Sequence, residues 1–344
     1  MAKDSPEDMI RQLMVMGTDP LQKRNTIGAD LVPTDRHDTY DFINPAQFDM
    51  SGRTVVITGA SKGCGRGFAL AYAKAGVSNI CITGRASLDG VEKEIQEAAK
   101  AAGRSAPKVL KLKVELTSQE DVEKAAKEVK DAFGGIDILI NNAGYMESEA
   151  RFLEIDPKDF WQTWQVNIFG TFLVTRAFIP LLLNHNHPSP LKTCLIISSA
   201  WAHTKFPENF AYQTSKLAQL RFTEMLSVQF PPPTPSKTPG GSDDGLLCIS
   251  LHPGGLSTEL GLKLGSRMHW FLNDTPELCG NTAVWVTAQR REWLRDRYIS
   301  SQWDMEEFFK LKDEIVKNDL LKVRLSVGGL EGENQKSTYM GKDM

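Results

Sequence analysis

The sequence predicts a doubly wound α/β fold, a parallel sheet with helices packed on both faces. Three features carry that reading. Near-continuous apolar segments recur along the chain, as expected of strands buried on both sides. Between them lie segments with helical spacing of apolar residues, which supply the crossovers that parallel strands need. The first apolar segment also runs into a glycine cluster that opens a helix, Thr58-Gly59-Ala60-Ser61-Lys62-Gly63-Cys64-Gly65.

From Arg53 the elements follow in order. TVVITG (54–59) is the first strand and GFALAYAKAG (67–76) a small-residue helix. NICITG (79–84) is the second strand, GVEKEIQEAAKAAG (90–103) an amphipathic helix, and KVLKLKVEL (108–116) the third strand. The charged helix SQEDVEKAAKEVKDAFGG (118–135) opens on a possible capping box, Ser118 with Asp121 three residues on. IDILINNAG (136–144) is the next strand with its loop, followed by a long aromatic-rich helix over 156–184 and the strand CLIISS (194–199). AYQTSKLAQL (211–220) lies on a further helix, and LLCISLHPGG (246–255) is the strand after it. No internal repeat is visible.

Residues 1–50 are polar, with one short apolar patch around Leu13 to Met16, and are expected to wrap or trail from a single domain over 51–344. Pro231 to Gly245, PPPTPSKTPGGSDDG, cannot be helix or central strand and is expected to be an exposed insertion.

Bulk properties narrow the function. The chain has 344 residues, 41% of them hydrophobic, enough for one large core. A net charge of −3 gives no electrostatic reason to expect nucleic acid or an anionic membrane as partner. No apolar run approaches the ~18 residues that span a bilayer, and the start MAKDSPEDMIRQL carries acids where a signal peptide carries bases. A cytoplasmic protein is expected. The five cysteines lack CxxC spacing, and Cys81, Cys194 and Cys248 sit inside strands, so buried reduced thiols are expected rather than disulfides or zinc. His185 and His187, in NHNHPSP, belong to a loop, and no metal site is expected.

The chemistry gathers at Tyr212 and Lys216. Four residues apart on a helix, they share one face. An ammonium beside a phenol stabilises the phenolate, which predicts a lowered pKa for Tyr212. A free tyrosine titrates at ~10 and a good general acid near ~7, so closing the gap takes on the order of 4 kcal/mol. By itself the pair reads equally as two solvated residues on a helix surface; its meaning depends on other residues converging there. The glycine cluster, flanked by strand and helix, lets a pyrophosphate approach a helix N-terminus and predicts dinucleotide binding.

TGxxxGxG at Thr58–Gly65, NNAG at Asn141–Gly144 and YxxxK at Tyr212–Lys216, in that order, resemble the short-chain dehydrogenase/reductase family from about Arg53 to Thr258. The resemblance implies a Rossmann-like sheet and an oxidoreductase that reduces a ketone or aldehyde, or oxidises the secondary alcohol, by hydride transfer. It implies Tyr212 as general acid/base and Lys216 as the residue that lowers its pKa and holds the nicotinamide ribose. Ser199, with Ser198 as the alternative, would hold the substrate oxygen, and Asn167 would carry a proton-relay water. Gly59, Gly63 and Gly65, with Ser61 and Lys62 between them, would form the pyrophosphate turn. Asn142 and Gly144 would bracket the nucleotide-side loop, and Pro253, Gly254 and Thr258 would meet the nicotinamide carboxamide.

An NAD-specific fold of this kind usually ends its second strand with an acid, where this chain has Gly84 and Arg85. Arg85 suits a 2′-phosphate and Lys62 adds charge nearby, so NADP is the expected cofactor. Glu115 and Leu116 stand where the family has an acid and an apolar residue beside the adenine. Residues 257–290 match the family's substrate flap, and Met268, Trp270 and Phe271 suggest either an apolar cover or core packing. A cover would favour an apolar carbonyl or alcohol substrate. Tyr145, Met146, Trp201 and His203 follow strand carboxyl ends and are expected near the pocket.

The C-terminal extension, 291–344, departs from the family's usual strand and short tail and resembles the tails of fungal secondary-metabolite reductases. A homodimer through the helices carrying Asn167 and Tyr212 is implied. Two alternatives stay open: a non-redox enzyme on the same fold, such as a dehydratase, cyclase or isomerase, or a cofactor-sensing binding protein. The complete set Asn167, Ser199, Tyr212 and Lys216 counts against the sensor.

Overall fold

A computed structural model describes residues 28–184, 187, 189–232 and 245–325, and a two-residue ribbon pairing Thr18–Asp19 with Arg24–Asn25. The side chains of Arg267, Met268 and Trp270 lie outside the described set, as do the Leu13–Met16 patch, His185 and most of the 231–245 insertion. Seven parallel strands form one sheet: β1 (Thr54–Ile57), β2 (Asn79–Gly84), β3 (Lys108–Lys113), β4 (Ile138–Asn141), β5 (Thr193–Ile197), β6 (Leu247–His252) and β7 (Tyr298–Ser300). Their order is β3-β2-β1-β4-β5-β6-β7, so the winding reverses between β1 and β4, where a crevice opens beyond the strand carboxyl ends. The expected doubly wound α/β fold is present.

The alternation of side chains along each strand builds two cores. Val55, Ile57, Ile80 and Ile82 face one side, with Phe68 and Tyr72 of helix α1 (Gly63–Lys74) and Val91, Ile95 and Ala99 of α2 (Asp89–Ala101). Val56, Cys81 and Leu139 face the other, with Val122, Ala125, Ala126 and Val129 of α3 (Gln119–Phe133) at helical spacing. On the first face α1 meets α7 (Pro276–Thr287) backbone to backbone: a Cβ on Gly280 would stand 2.5 Å from the Gly67 carbonyl oxygen.

Several expectations need correction. Only half of the capping box forms: Ser118 Oγ accepts from the Asp121 N–H, but the Asp121 carboxylate takes the Glu115 N–H instead of reaching back. The long helix is three pieces, α4 (Pro157–Trp164), a π-helical turn (Gln165–Gly170) and α5 (Thr171–Leu182). Over its 26 residues that stretch is long and apolar enough to cross a membrane by length and composition, contrary to the reading of the apolar runs. Yet 61% of its most apolar window is buried, and Leu173, Val174 and Phe178 join the second core. The 257–290 segment is not all flap, because its second half is α7, a buried core helix. The C-terminal extension does contain an edge strand, β7, paired in parallel with β6. Two short helices, α8 (Met305–Lys310) and α9 (Lys312–Lys317), follow it.

The described part of the N-terminal extension wraps the domain. Arg36 donates two hydrogen bonds to Asp304, the Thr34 N–H and hydroxyl both reach Glu307, and the Trp303 indole N–H donates to the Gly28 carbonyl. These are long-range ties between the two ends of the chain, which no local pattern encodes.

Candidate active site

The helix α6 (Phe210–Gln229) presents Tyr212 and Lys216 at the carboxyl ends of β4 and β5, and both are buried. The Ser199 side chain, at the end of β5, stands beside the Tyr212 phenol, and its hydroxyl accepts from the Trp201 N–H at 3.1 Å. Ser198 instead donates to the Lys216 carbonyl at 3.1 Å, a helix-to-strand tie. That division separates the two serines, with Ser199 beside the phenol. The Lys216 Nζ lies 5.4 Å from the Tyr212 ring centroid and donates to the Ile197 carbonyl at 2.8 Å and to Gln219 Oε1 at 3.0 Å.

The expected direction of the Tyr212 shift does not hold for the protein's own groups. Burial drives the phenol above its ordinary range; the Ser199 hydrogen bond opposes this, and Cys64 and Glu147 add to it. Burial also lowers Lys216 to about 7, against the pull of Cys64. Spacing placed the two side chains correctly, but burial penalises both charged forms and outweighs their mutual attraction.

Asn167 sits in the π-helical turn, fully buried. Such turns occur frequently at functional sites, and this one faces the Asn167 side chain toward the loop after β4. Its Oδ1 accepts from the Tyr145 N–H at 2.8 Å, while Nδ2 donates to the Tyr145 carbonyl at 2.8 Å and to Ser215 Oγ at 3.0 Å. The side chain is thus occupied by protein groups. The Asn167 carbonyl accepts from Gln219 Nε2 at 2.8 Å, so one amide side chain bridges Lys216 to Asn167. Gln219 is three residues past Lys216 and belongs to no motif, so sequence reading missed it.

Glu147 was missed as well. It is 1% exposed, and its carboxylate accepts from the Ala211 N–H at 2.7 Å, the Tyr212 N–H at 3.1 Å and the Thr163 hydroxyl at 3.0 Å. The α6 N-cap residue, Asn209, is left-handed and offers no side-chain cap, so the Glu147 carboxylate does that work from another loop.

At the glycine turn, a Cβ on Gly65 would fall 2.3 Å from the Gly59 carbonyl oxygen, so only glycine lets the turn close. The first turn of α1 has neither a side-chain cap nor an acid, which leaves its N–H groups for an external anion. Asn142 Nδ2 holds that turn, donating to the Thr58 carbonyl at 2.7 Å and the Gly59 carbonyl at 3.1 Å. Gly144 packs beside Asn167 and Lys216, and Ser61 lies beside Gly84. Arg85, exposed at the end of β2, is 3.8 Å from the Glu115 carboxylate. Glu115 Oε1 otherwise accepts from Thr117, and Leu116 packs against Gly170. Lys62 is paired with Glu259, so the structure does not leave it a free cation beside the turn.

A cavity of about 440 Å³ opens over Ser199 and Tyr212 and reaches Pro253, Gly254 and Thr258. Met146, Trp201, Phe206, Leu260, Leu264 and Phe271 give it an apolar wall; of the three flap residues singled out for a cover or for core packing, Phe271 lines the cavity and the side chains of Met268 and Trp270 lie outside the described residues. Tyr145 instead bonds Asp159 through its hydroxyl at 2.7 Å, under the Lys263 ammonium. His203 packs edge-on against Tyr298, and burial lowers its pKa to about 4. The cavity's remaining wall holds His252 and residues from both ends of the chain, among them Ala29, Asp35, His37, Ser300 and Gln302. Sequence reading did not place these here.

The short chain dehydrogenase family model matches residues 53–234. "Short chain dehydrogenase mpl6" of Monascus purpureus is 42% identical over 289 residues, 84% of this chain and 94% of that protein. Among solved structures, a 3-oxoacyl-[acyl-carrier protein] reductase from Brucella melitensis in complex with NAD aligns with a TM-score of 0.63 at 23% identity, covering 73% of this chain and 95% of that one. A short chain dehydrogenase from Shigella flexneri complexed with NADP aligns with a TM-score of 0.62 at 22% identity, over 75% of this chain and 100% of that one.

Proposed function

The chain belongs to the short-chain dehydrogenase/reductase family, and from that membership we propose that it is an NADP(H)-dependent oxidoreductase that reduces an aldehyde or ketone of an apolar compound. The observation that carries this reading is the buried Ser199–Tyr212 pair at the floor of an apolar cavity, with Lys216 beneath it.

The dinucleotide fits the residues present. Its pyrophosphate would take the uncapped N–H groups of α1 beside Gly59, Gly63 and Gly65, and Lys216 would meet the nicotinamide ribose. When bound, the nicotinamide supplies or takes up the hydride. The protein's part is to hold and protonate the substrate oxygen. Ser199 Oγ donates a hydrogen bond to that oxygen, and Tyr212 gives it the phenolic proton. A phenol that burial keeps protonated suits the donor role when a carbonyl is reduced. Lys216 then balances the phenolate, and Gln219 fixes its ammonium.

Arg85 at the end of β2, with no acid in its place, supports NADP over NAD. The C-terminal tail supports a substrate from fungal secondary metabolism. Exposed Trp161, Phe172, Met225 and Val228 on α4, α5 and α6 support a homodimer through these helices.

The experiment is titration with NADPH and NADH, then a panel of aromatic and alicyclic aldehydes and ketones followed by loss of NADPH absorbance. The expected result is NADPH-selective binding and one NADPH consumed per carbonyl reduced, abolished in Tyr212→Phe with cofactor binding retained. Substrate conversion without NADPH loss would replace this reading with a non-redox enzyme.

A further inference from the structure

The family model ends at residue 234 and begins at 53, yet residues outside it wall part of the cavity over Tyr212. Asp35 and His37 come from the N-terminal segment, and Ser300 and Gln302 from the chain after β7. The key tie is Asp274, whose side chain is fully buried. Its carboxylate meets His37 Nδ1 at 2.6 Å, the Gly255 N–H at 2.5 Å and Gln302 Nε2 at 2.9 Å. The Thr275 N–H also donates to the His37 carbonyl at 3.0 Å, so backbone and ring are both held.

This geometry fixes the hydrogen-bonding sense of the ring. A carboxylate that receives two other N–H donors accepts from Nδ1–H, and an uncharged imidazole in that tautomer offers Nε2 as an acceptor. His37 lines the cavity and its side chain is about half exposed, 48%, unlike the buried acid that orients it. We propose that His37, oriented by Asp274, is a specificity-determining residue whose Nε2 accepts a hydrogen bond from a substrate hydroxyl other than the reacting oxygen. The substrate class is then an uncharged, hydroxyl-bearing carbonyl compound with an apolar body. This rests on the reductase reading and names its substrate. An anionic substituent at the same place would face the carboxylates of Asp35 and Asp274 with one imidazole already shared, which disfavours it.

The test uses the full chain and matched naphthaldehydes and benzaldehydes bearing a hydroxyl, methoxy, carboxylate or no substituent. We expect a hydroxyl compound to exceed its methoxy counterpart by about five- to tenfold in kcat/KM, mainly through KM. His37→Phe should bring that ratio to within about twofold, and Asp274→Asn should reduce it in part. His37 is a surface ring, so an unchanged melting temperature would show that the variant folds. The same ratios, measured by calorimetry as Kd for the corresponding alcohols on the NADP-loaded protein, do not need turnover. A hydroxyl preference in binding that His37→Phe removes, without any reduction, would sink the reductase reading and leave the anchor standing. A carboxylate preference, a ratio unmoved by His37→Phe, or no hydroxyl dependence in either assay would overturn it.

Discussion

The Glu147 carboxylate accepts the backbone N–H of Tyr212 at 3.1 Å and that of Ala211 at 2.7 Å, so the buried phenol sits on a helix capped from a different loop. The same carboxylate takes the Thr163 hydroxyl on α4, one turn before Asn167. One buried acid therefore sets the helix of Tyr212 against the helix that leads into Asn167.

Replacing Glu147 separates its two effects. Glu147→Ala removes the cap and leaves amides without a partner, at a cost of about 1–2 kcal/mol in urea unfolding. Glu147→Gln keeps an acceptor but removes a charge that raises the Tyr212 pKa. The alkaline limb of the reduction rate, where the phenol loses its proton, should then move to lower pH. A pH profile identical to wild type would show that Glu147 acts through shape alone.

Lys216 makes stability depend on pH. Its pKa is lowered from 10.5 to about 7 in the folded chain, so between these values the unfolded state holds a proton that the native state lacks. Stability therefore rises with pH across that window and is flat below it. Lys216→Met should remove the rise, a difference on the order of a few kcal/mol between urea midpoints at the two ends. Tyr212 acts oppositely: its raised pKa makes stability fall as pH climbs past its ordinary value of 10.0. Equal slopes for wild type and Lys216→Met would contradict the buried, proton-poor lysine.

Arg85→Ala tests the cofactor preference. Loss of the charge-assisted contact to a 2′-phosphate should cut the NADPH-to-NADH ratio of kcat/KM by about tenfold or more. The 3.8 Å approach to Glu115 is too exposed and too long to matter much for stability, so the melting temperature should hardly change. An unaltered ratio would remove Arg85 from the cofactor site.

The exposed apolar side chains of α4 and α6 make oligomerisation testable. Met225 is 56% and Val228 72% exposed, and charging both (Met225→Asp with Val228→Asp) should lower the sedimentation mass from twice the chain mass to one. A monomeric wild type would end the dimer proposal.

Local order made much of this protein legible. Buried strands, the glycine turn and the Tyr212–Lys216 spacing are encoded by residues within one or two turns of each other, because backbone geometry repeats over short distances. The family resemblance singled out Ser199, thirteen residues before Tyr212, and the fold places the two side chains beside each other. The π-helical turn was not legible, since Gln165–Gly170 differs from an α-helix by hydrogen-bond register and not by composition.

The sequence by itself determined the sheet, its winding, the glycine turn and the Tyr212–Lys216 pair, and its resemblance to a family added Ser199. Tertiary structure alone decided what those groups feel and what surrounds them. Glu147, Gln219, Asp274 and His37 each enter the site through contacts between residues distant in the chain or through an amide that belongs to no motif. The sign of the Tyr212 shift was also set there, because desolvation depends on everything packed around a group and not on its neighbours in sequence.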